Sequence, residues 1–151
     1  MAVEGVRGHG GVRGRVRRSV VLEDVEESVT VEVVEGGDAF VAAVHGDVDV
    51  DNFRRVREVL FTCLNRGAPA LVVDLDDVGF FGSMGIAVLV EARQRADVLD
   101  VGFAVVAGRR AVARPIRVAD MEELLGLHRT LDEALAAVRG GGSDGFSWWS
   151  S

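Results

Sequence analysis

The chain is 151 residues long, 48% apolar and 27% charged, with a formal net charge of −7. That is one domain's worth of chain, able to bury a single core and too apolar to stay disordered. No apolar run approaches the roughly 20 residues that span a bilayer, and the N-terminal arginines run into acids rather than an apolar core, so neither a membrane segment nor a signal peptide is expected and the cytoplasm is the expected location.

All 17 basic residues are arginine. Without a lysine there is no P-loop, whose lysine must reach the phosphates, and no Schiff-base enzyme. Cys63 stands alone and forms no internal disulfide; its apolar neighbours make it a buried small hydrophobe. His9, His45 and His128 lie far apart with no paired ligand spacing, so no metal and no cofactor are expected. Residues 1–20 hold five arginines against Glu4, a balance of +4 that leaves −11 for the remainder. An acidic body repels phosphate backbones and argues against nucleic-acid binding; it suits a basic protein partner.

Residues 1–26, Gly- and Arg-rich and then acidic, lack both the helical and the strand period and are expected to form a disordered arm. Val29–Glu35 alternates as a strand, with Val29, Val31 and Val33 on one face. Glu35-Gly36-Gly37-Asp38 is a hairpin turn, Ala39–His45 the returning strand, and Gly46-Asp47 its stop. Asp51–Arg66 reads as a helix, because Phe53, Val56, Leu60, Cys63 and Leu64 recur at spacings of three and four. Asp49 or Asp51 caps its start, and Gly67 with Pro69 ends it.

Ala70–Leu75 is nearly all apolar, the mark of a strand buried on both faces. A short loop follows, and Ser83 opens a second helix through Arg93. Val101–Ala107 is another buried strand, and Arg109–Val118 and Met121–Leu125 are helical or turn-like, with Pro115 limiting their regularity. Leu127–Thr130 forms a short edge strand, and Leu131–Val138 a last helix capped by Thr130. Residues 140–151, glycine-led, are expected to be a flexible tail, leaving 27–139 as the folded domain. Strands joined by helical crossovers imply an α/β domain with a mixed four- to five-stranded sheet and helices packed against it.

The stretch from Val72 to Ile86 carries the chemistry: a buried strand runs into a loop that ends on Ser83 at a helix start. The first N–H groups of a helix lack internal partners and carry partial positive charge, so a hydroxyl there is held and a phosphate on it tolerated. Gly82 and Gly85 let a partner backbone approach on either side. A serine at this position is also an ordinary helix cap, and the residues alone do not separate the two roles.

The stretch resembles the STAS domain of anti-sigma factor antagonists, whose signature is an apolar strand ending in Asp-Leu, an aromatic or aliphatic pair, and Asp-Ser-Ser-Gly-Leu. The matching residues are Asp74-Leu75, Phe80-Phe81 and Gly82-Ser83-Met84-Gly85-Ile86. Gly46-Asp47-Val48-Asp49 resembles the family's turn after the second strand, and Met121–Leu125 with His128–Leu135 its closing segment. The resemblance spans residues 29–138. It implies an anti-sigma factor serine kinase of the histidine-kinase-like ATPase fold as partner, phosphorylation at Ser83 as the off-switch, and Asp49, Gly82, Ser83, Met84 and Gly85 as the partner-binding residues. It implies no enzymatic activity and no membrane, and a monomer or weak homodimer is expected. Two positions depart from the signature: Gly82 stands where the family has aspartate, and Met84 where it has the second serine. The alternative within the family is a STAS module that is not phosphorylated and serves as a scaffold in another signalling or lipid-transport assembly.

Enzyme readings would have to use Asp74, Asp76 and Asp77, or Asp47, Asp49 and Asp51, as a magnesium site, or Ser83 as a hydrolase nucleophile. Acidic runs beside turns are usually turn residues. The serine also lacks the Gly-x-Ser-x-Gly elbow, since position 81 is Phe.

Overall fold

The structure, a computed structural model, describes residues 19–22 and 29–143. Six strands lie side by side in chain order: β1 (Ser19–Leu22), β2 (Val29–Glu35), β3 (Phe40–Val48), β4 (Ala70–Phe81), β5 (Gly102–Val106) and β6 (Leu127–His128). The first three are antiparallel to one another, and β3 through β6 are parallel. Five helices complete the chain: α1 (Phe53–Asn65), α2 (Ser83–Leu99), α3 (Arg110–Val118), α4 (Glu122–Leu125) and α5 (Leu131–Ser143). The expected mixed sheet is present, with β1 added at its outer edge.

Ser19–Leu22 falls inside the segment expected to be an unstructured arm, but it pairs with Val31–Val34. Three consecutive β-prone residues, Val20, Val21 and Leu22, are enough to extend a sheet that offers an unpaired edge. The rest of that segment, residues 1–18 and 23–28, lies outside the described residues, as does 144–151 of the tail. Helix α5 runs to Ser143, past the expected boundary at 139. Pro115 sits inside α3 and the helix ends only three residues later, at Val118.

The strand burial pattern follows from alternation. Val29, Val31 and Val33 of β2 point into the core together with Ala42, Val44 and Val48 of β3. Against this face pack Val56, Leu60, Cys63 and Leu64 of α1, Val88, Leu89, Ala92 and Ala96 of α2, and Val112, Ala113 and Ile116 of α3. Each fully buried Val or Leu side chain contributes roughly 1.5–3 kcal/mol over leaving it in water. The opposite face is covered by α5, whose Ala134 and Val138 meet Ala39, Ala70, Val72, Ala104 and Val106.

The largest difference from the sequence reading is β4. Expected to stop at Leu75, it continues to Phe81 alongside β3, with register shifts between Ala43 and His45 and between Gly46 and Asp47. Gly46 takes a φ of 109°, which lets β3 absorb the irregularity. Asp76, Asp77 and Gly79, read as loop residues, are strand residues at this irregular end.

Parallel strands give the molecule a direction. Each helix following a parallel strand carries the chain back, so α1, α2 and α3 all begin at the C-terminal end of the sheet. The C-termini of α2 and α3 lie at the other end.

Candidate functional site

Ser83 is the first residue of α2. Gly82 is the cap, in an extended conformation, and its carbonyl accepts the N–H groups of Gly85 (2.9 Å) and Ile86 (3.3 Å). Ser83 is therefore not the capping serine. Its side chain is exposed and its hydroxyl has no hydrogen-bond partner among the described residues. The N–H groups of Ser83 and Met84 have no carbonyl acceptor within the helix, which leaves the partial positive charge of the terminus facing outward.

The start of α2 is anchored to the neighbouring strand: Gly82 N–H donates to the Val48 carbonyl at 3.2 Å. Val48 and Phe81 are register partners. This pairing brings Asp49, the residue after Val48, to the same end of the sheet as Gly82, Ser83, Met84 and Gly85, so the five residues expected to form one surface do share one end of the fold.

They do not share one role in it. Asp49 is spent on its own turn: its Oδ1 accepts the N–H groups of Asp51 (2.9 Å) and Asn52 (3.2 Å). The Asp49 N–H donates in return to Asn52 Oδ1 at 2.9 Å, and Asn52 Nδ2 donates to the Asp47 carbonyl at 2.8 Å. This reciprocal pattern closes the turn between β3 and α1 in the manner of a capping box, one turn ahead of the helix start at Phe53. The cap position of α1 itself is Asn52, with no side-chain cap bond, so neither Asp49 nor Asp51 caps the helix as expected; Asp49 closes the turn that leads into it, and the buried Asn52 was the signal overlooked in the sequence.

Gly85 is buried, and a Cβ added there would lie 2.7 Å from the ring of Phe81. At Gly82 a Cβ would meet the Phe80 ring at 3.3 Å. Phe80, whose ring lies against Gly82, is 53% exposed, and Val50, next to Asp49 in the turn before α1, is 68% exposed, so this end of the fold presents two large apolar side chains to solvent. Sequence reasoning placed Phe80 in the motif but gave no sign of its exposure.

Between the first turns of α1 and α2 lies a groove of about 450 Å³, with Phe53, Arg54, Arg57 and Glu58 on one wall and Met84, Ala87, Val88 and Glu91 on the other. The Arg57–Glu91 ion pair (2.8 Å) bridges the two helices within it.

The acidic clusters do not converge. Asp74 Oδ1 accepts the Asp76 N–H at 3.0 Å, and Asp76 Oδ1 accepts the Gly108 N–H at 3.0 Å. Asp77 is 2.8 Å from His45 Nδ1, with Glu32 3.9 Å from the other ring nitrogen. Among the described residues no three His, Cys, Asp or Glu side chains are grouped as metal ligands. His45 is tied to Asp77 and His128 sits on β6, and neither hydrogen-bonds Ser83. Cys63 is buried, and burial pushes its thiol up to about 11, so it carries no thiolate at neutral pH. Among the described residues no helix is long and apolar enough to cross a membrane.

Comparison with known proteins gives the same family from sequence and from shape. The family model for the STAS domain matches residues 30–134. The anti-sigma-F factor antagonist RsfB of Mycobacterium tuberculosis is 31% identical over 118 residues, which cover 78% of this chain and 96% of that protein. The crystal structure of an anti-sigma factor antagonist from Mycobacterium paratuberculosis superposes with a TM-score of 0.68 at 30% identity, covering 78% of this chain and 99% of its own. The anti-sigma factor antagonist SpoIIAA in its unphosphorylated form has the same fold, with a TM-score of 0.62 at 15% identity over 73% of this chain and 96% of its own.

Proposed function

The chain belongs to the STAS domain family, and from that premise we propose that it is an anti-sigma factor antagonist: a cytoplasmic binding regulator, not an enzyme, that holds an anti-sigma factor and so frees a sigma factor. The partner is a serine kinase of the histidine-kinase-like ATPase fold, and it ends the complex by phosphorylating Ser83.

The observation that carries this reading is the placement of Ser83, exposed at the first position of α2 with its hydroxyl unclaimed among the described residues. A hydroxyl committed to capping would have to be released before transfer; this one is available. A phosphate adds about −1.5 to −2 charges. The start of α2 tolerates that charge within the domain. In the complex the same charge has to be desolvated against a surface that fitted a small neutral hydroxyl, with the exposed Phe80 ring against the neighbouring Gly82. Release follows from the interface and not from unfolding.

A second reading, a scaffold module that is never phosphorylated, is favoured by one observation: Gly82 leaves no carboxylate beside Ser83. The two are separated by mixing the protein with each purified anti-sigma factor kinase of the same genome and MgATP, and reading intact mass. One phosphate, located on Ser83, is the expected result. Binding retained without any phosphate would establish the scaffold. Ser83→Asp is expected to weaken kinase binding by about 1–2 kcal/mol, roughly tenfold, measured by calorimetry with ADP in place of ATP. Unchanged affinity would remove buried charge as the switch.

A further inference from the structure

Phe80 and Gly82 stand two positions apart where β4 runs out, and residues two apart in extended chain point to the same side. Gly82 has no side chain, and the Phe80 ring closes on the space: its Cε2 and Cζ lie 3.3 and 3.5 Å from where a Gly82 Cβ would stand. Phe81, between them, turns into the core and is 4% exposed. The backbone beside the ring is fixed, because the Gly82 N–H donates to the Val48 carbonyl at 3.2 Å and the Gly82 carbonyl starts α2. Phe80 therefore rests against the residue directly before Ser83 and is still 53% exposed.

A single exposed apolar residue is ordinary on a protein surface. This one differs in its position. A kinase that reaches the Ser83 hydroxyl comes against Gly82, the residue before it, and so onto the Phe80 ring. On the other side of the serine stands Met84, half-buried and apolar. The two departures from the STAS signature thus run the same way. Where the signature flanks the serine with aspartate and a second serine, this chain has a glycine beside an aromatic ring and a methionine. The surround of the hydroxyl has changed from polar to apolar.

We propose that Phe80, seated against Gly82, is the apolar anchor that selects the anti-sigma factor, its ring entering a recess of aliphatic or methionine side chains beside the partner's phosphate-transfer site. This rests on the antagonist reading above and names what the partner must offer there. It also gives a role to a glycine that the backbone does not require, since the Gly82 φ of −86° is open to any residue: position 82 is small so that the ring can sit where it does. Removing an exposed aromatic ring from water favours the partner with the matching recess. An anti-sigma factor built to meet a carboxylate at position 82 would leave its donor unpaired against the ring, so the same contact rejects it. Phe80 takes no part in phosphate transfer; it decides which partner docks.

The test separates the ring's apolar character from its bulk and from the fold. Phe80→Leu keeps an apolar side chain, and Phe80→Gln puts a polar one of similar size in its place. Val118→Arg, on a 77% exposed residue at the opposite end of the sheet, serves as control. Binding to the anti-sigma factor that the wild-type protein binds, purified and loaded with ADP, is measured by calorimetry beside each variant's thermal midpoint. Phe80→Gln is expected to weaken binding about tenfold or more, Phe80→Leu no more than about threefold, and the control no more than about twofold. Gly82→Ala pushes against the ring and is expected to weaken binding about threefold or more, but to have no further effect in the Phe80→Gln background. Wild-type-like affinity in Phe80→Gln would overturn the anchor while leaving the antagonist reading intact. An equal loss from Gly82→Ala in both backgrounds would overturn the pairing of ring and glycine. Sedimentation showing a wild-type dimer that Phe80→Gln dissociates would assign the ring to a second copy of this chain and overturn the proposal. If the wild-type protein binds no anti-sigma factor of its genome, the antagonist reading falls first and the anchor with it. Should Phe80→Gln fold poorly, Gly82→Ala alone decides.

Discussion

Gly85 has no room for a side chain, and the reason is Phe81. The ring stands where a Cβ would be, its nearest atoms 2.7 and 2.8 Å away, and Phe81 itself is 4% exposed, so it cannot swing out without opening the core. Gly85→Ala gains up to about 1 kcal/mol in helix propensity, but forcing a methyl into packed space costs about 1–3 kcal/mol. The clash wins. A net loss of about 1–2 kcal/mol is expected in urea unfolding, with an unchanged m-value; a variant as stable as wild type would mean the Phe81 ring yields more easily than its burial implies. Gly82 poses the opposite case. Its φ of −86° is open to any residue, and a Cβ would come no closer than 3.3 Å to Phe80, an exposed ring able to give way. The fold therefore demands glycine at 85 but only permits it at 82. Both glycines were legible in the sequence as flanks of Ser83, read as openings for a partner backbone. That Gly85 instead answers to a buried ring four residues earlier was not, because the reading had no way to place Phe81 against it.

At the scale of elements, the turn before α1 carries a load that the family resemblance does not mention. Asp49 accepts two backbone N–H groups and donates its own to Asn52, closing the corner between β3 and α1. Asp49→Ala removes both acceptors and is expected to cost about 1 kcal/mol, read as a lowered urea midpoint. Weaker partner binding in that variant would then reflect a shifted turn; Asp49→Asn, which keeps an acceptor oxygen, is expected to restore most of the stability. The helices were readable because their cues are local: the stripe from Val56 to Leu64 on α1, and Ser83 as the first residue of α2. The second half of β4 was not. Asp76, Asp77 and Gly79 are poor strand residues by composition, and only pairing with a bulged β3 makes them one. β1 was hidden for a related reason, since four residues beside an Arg-rich run show no period until β2 supplies an edge.

For the molecule as a whole, the unequal covering of the sheet has an electrostatic result. Helices α1, α2 and α3, with Leu125 of α4, pack one face, whereas α5 alone packs the other, against Ala70 and Val72 of β4 and Ala104 and Val106 of β5. Two residues further along β4 on that same face stands Asp74, opposite Ala43, with Glu32, His45 and Asp77 on the neighbouring positions of the sheet. Asp74 is only partly exposed, and burial is the main cause that raises its pKa above 3.8; the Asp76 N–H works against the rise, while the charges of Asp76 and Asp77 add to it. A carboxyl whose pKa is higher folded than unfolded binds its proton more tightly in the folded state. Its contribution is therefore favourable at low pH and is lost as pH rises through the folded value. At neutral pH Asp74 opposes folding. Asp74→Asn keeps an oxygen for the Asp76 N–H and removes the charge, so the variant is expected to be more stable than wild type at pH 7. The advantage should shrink towards pH 4, as the wild-type carboxyl takes up its proton. Urea midpoints of both proteins at the two pH values measure it. A variant less stable than wild type at pH 7 would mean that the charged form's bond to Asp76 outweighs the cost of burial, and that this face of the sheet is better hydrated than its packing suggests.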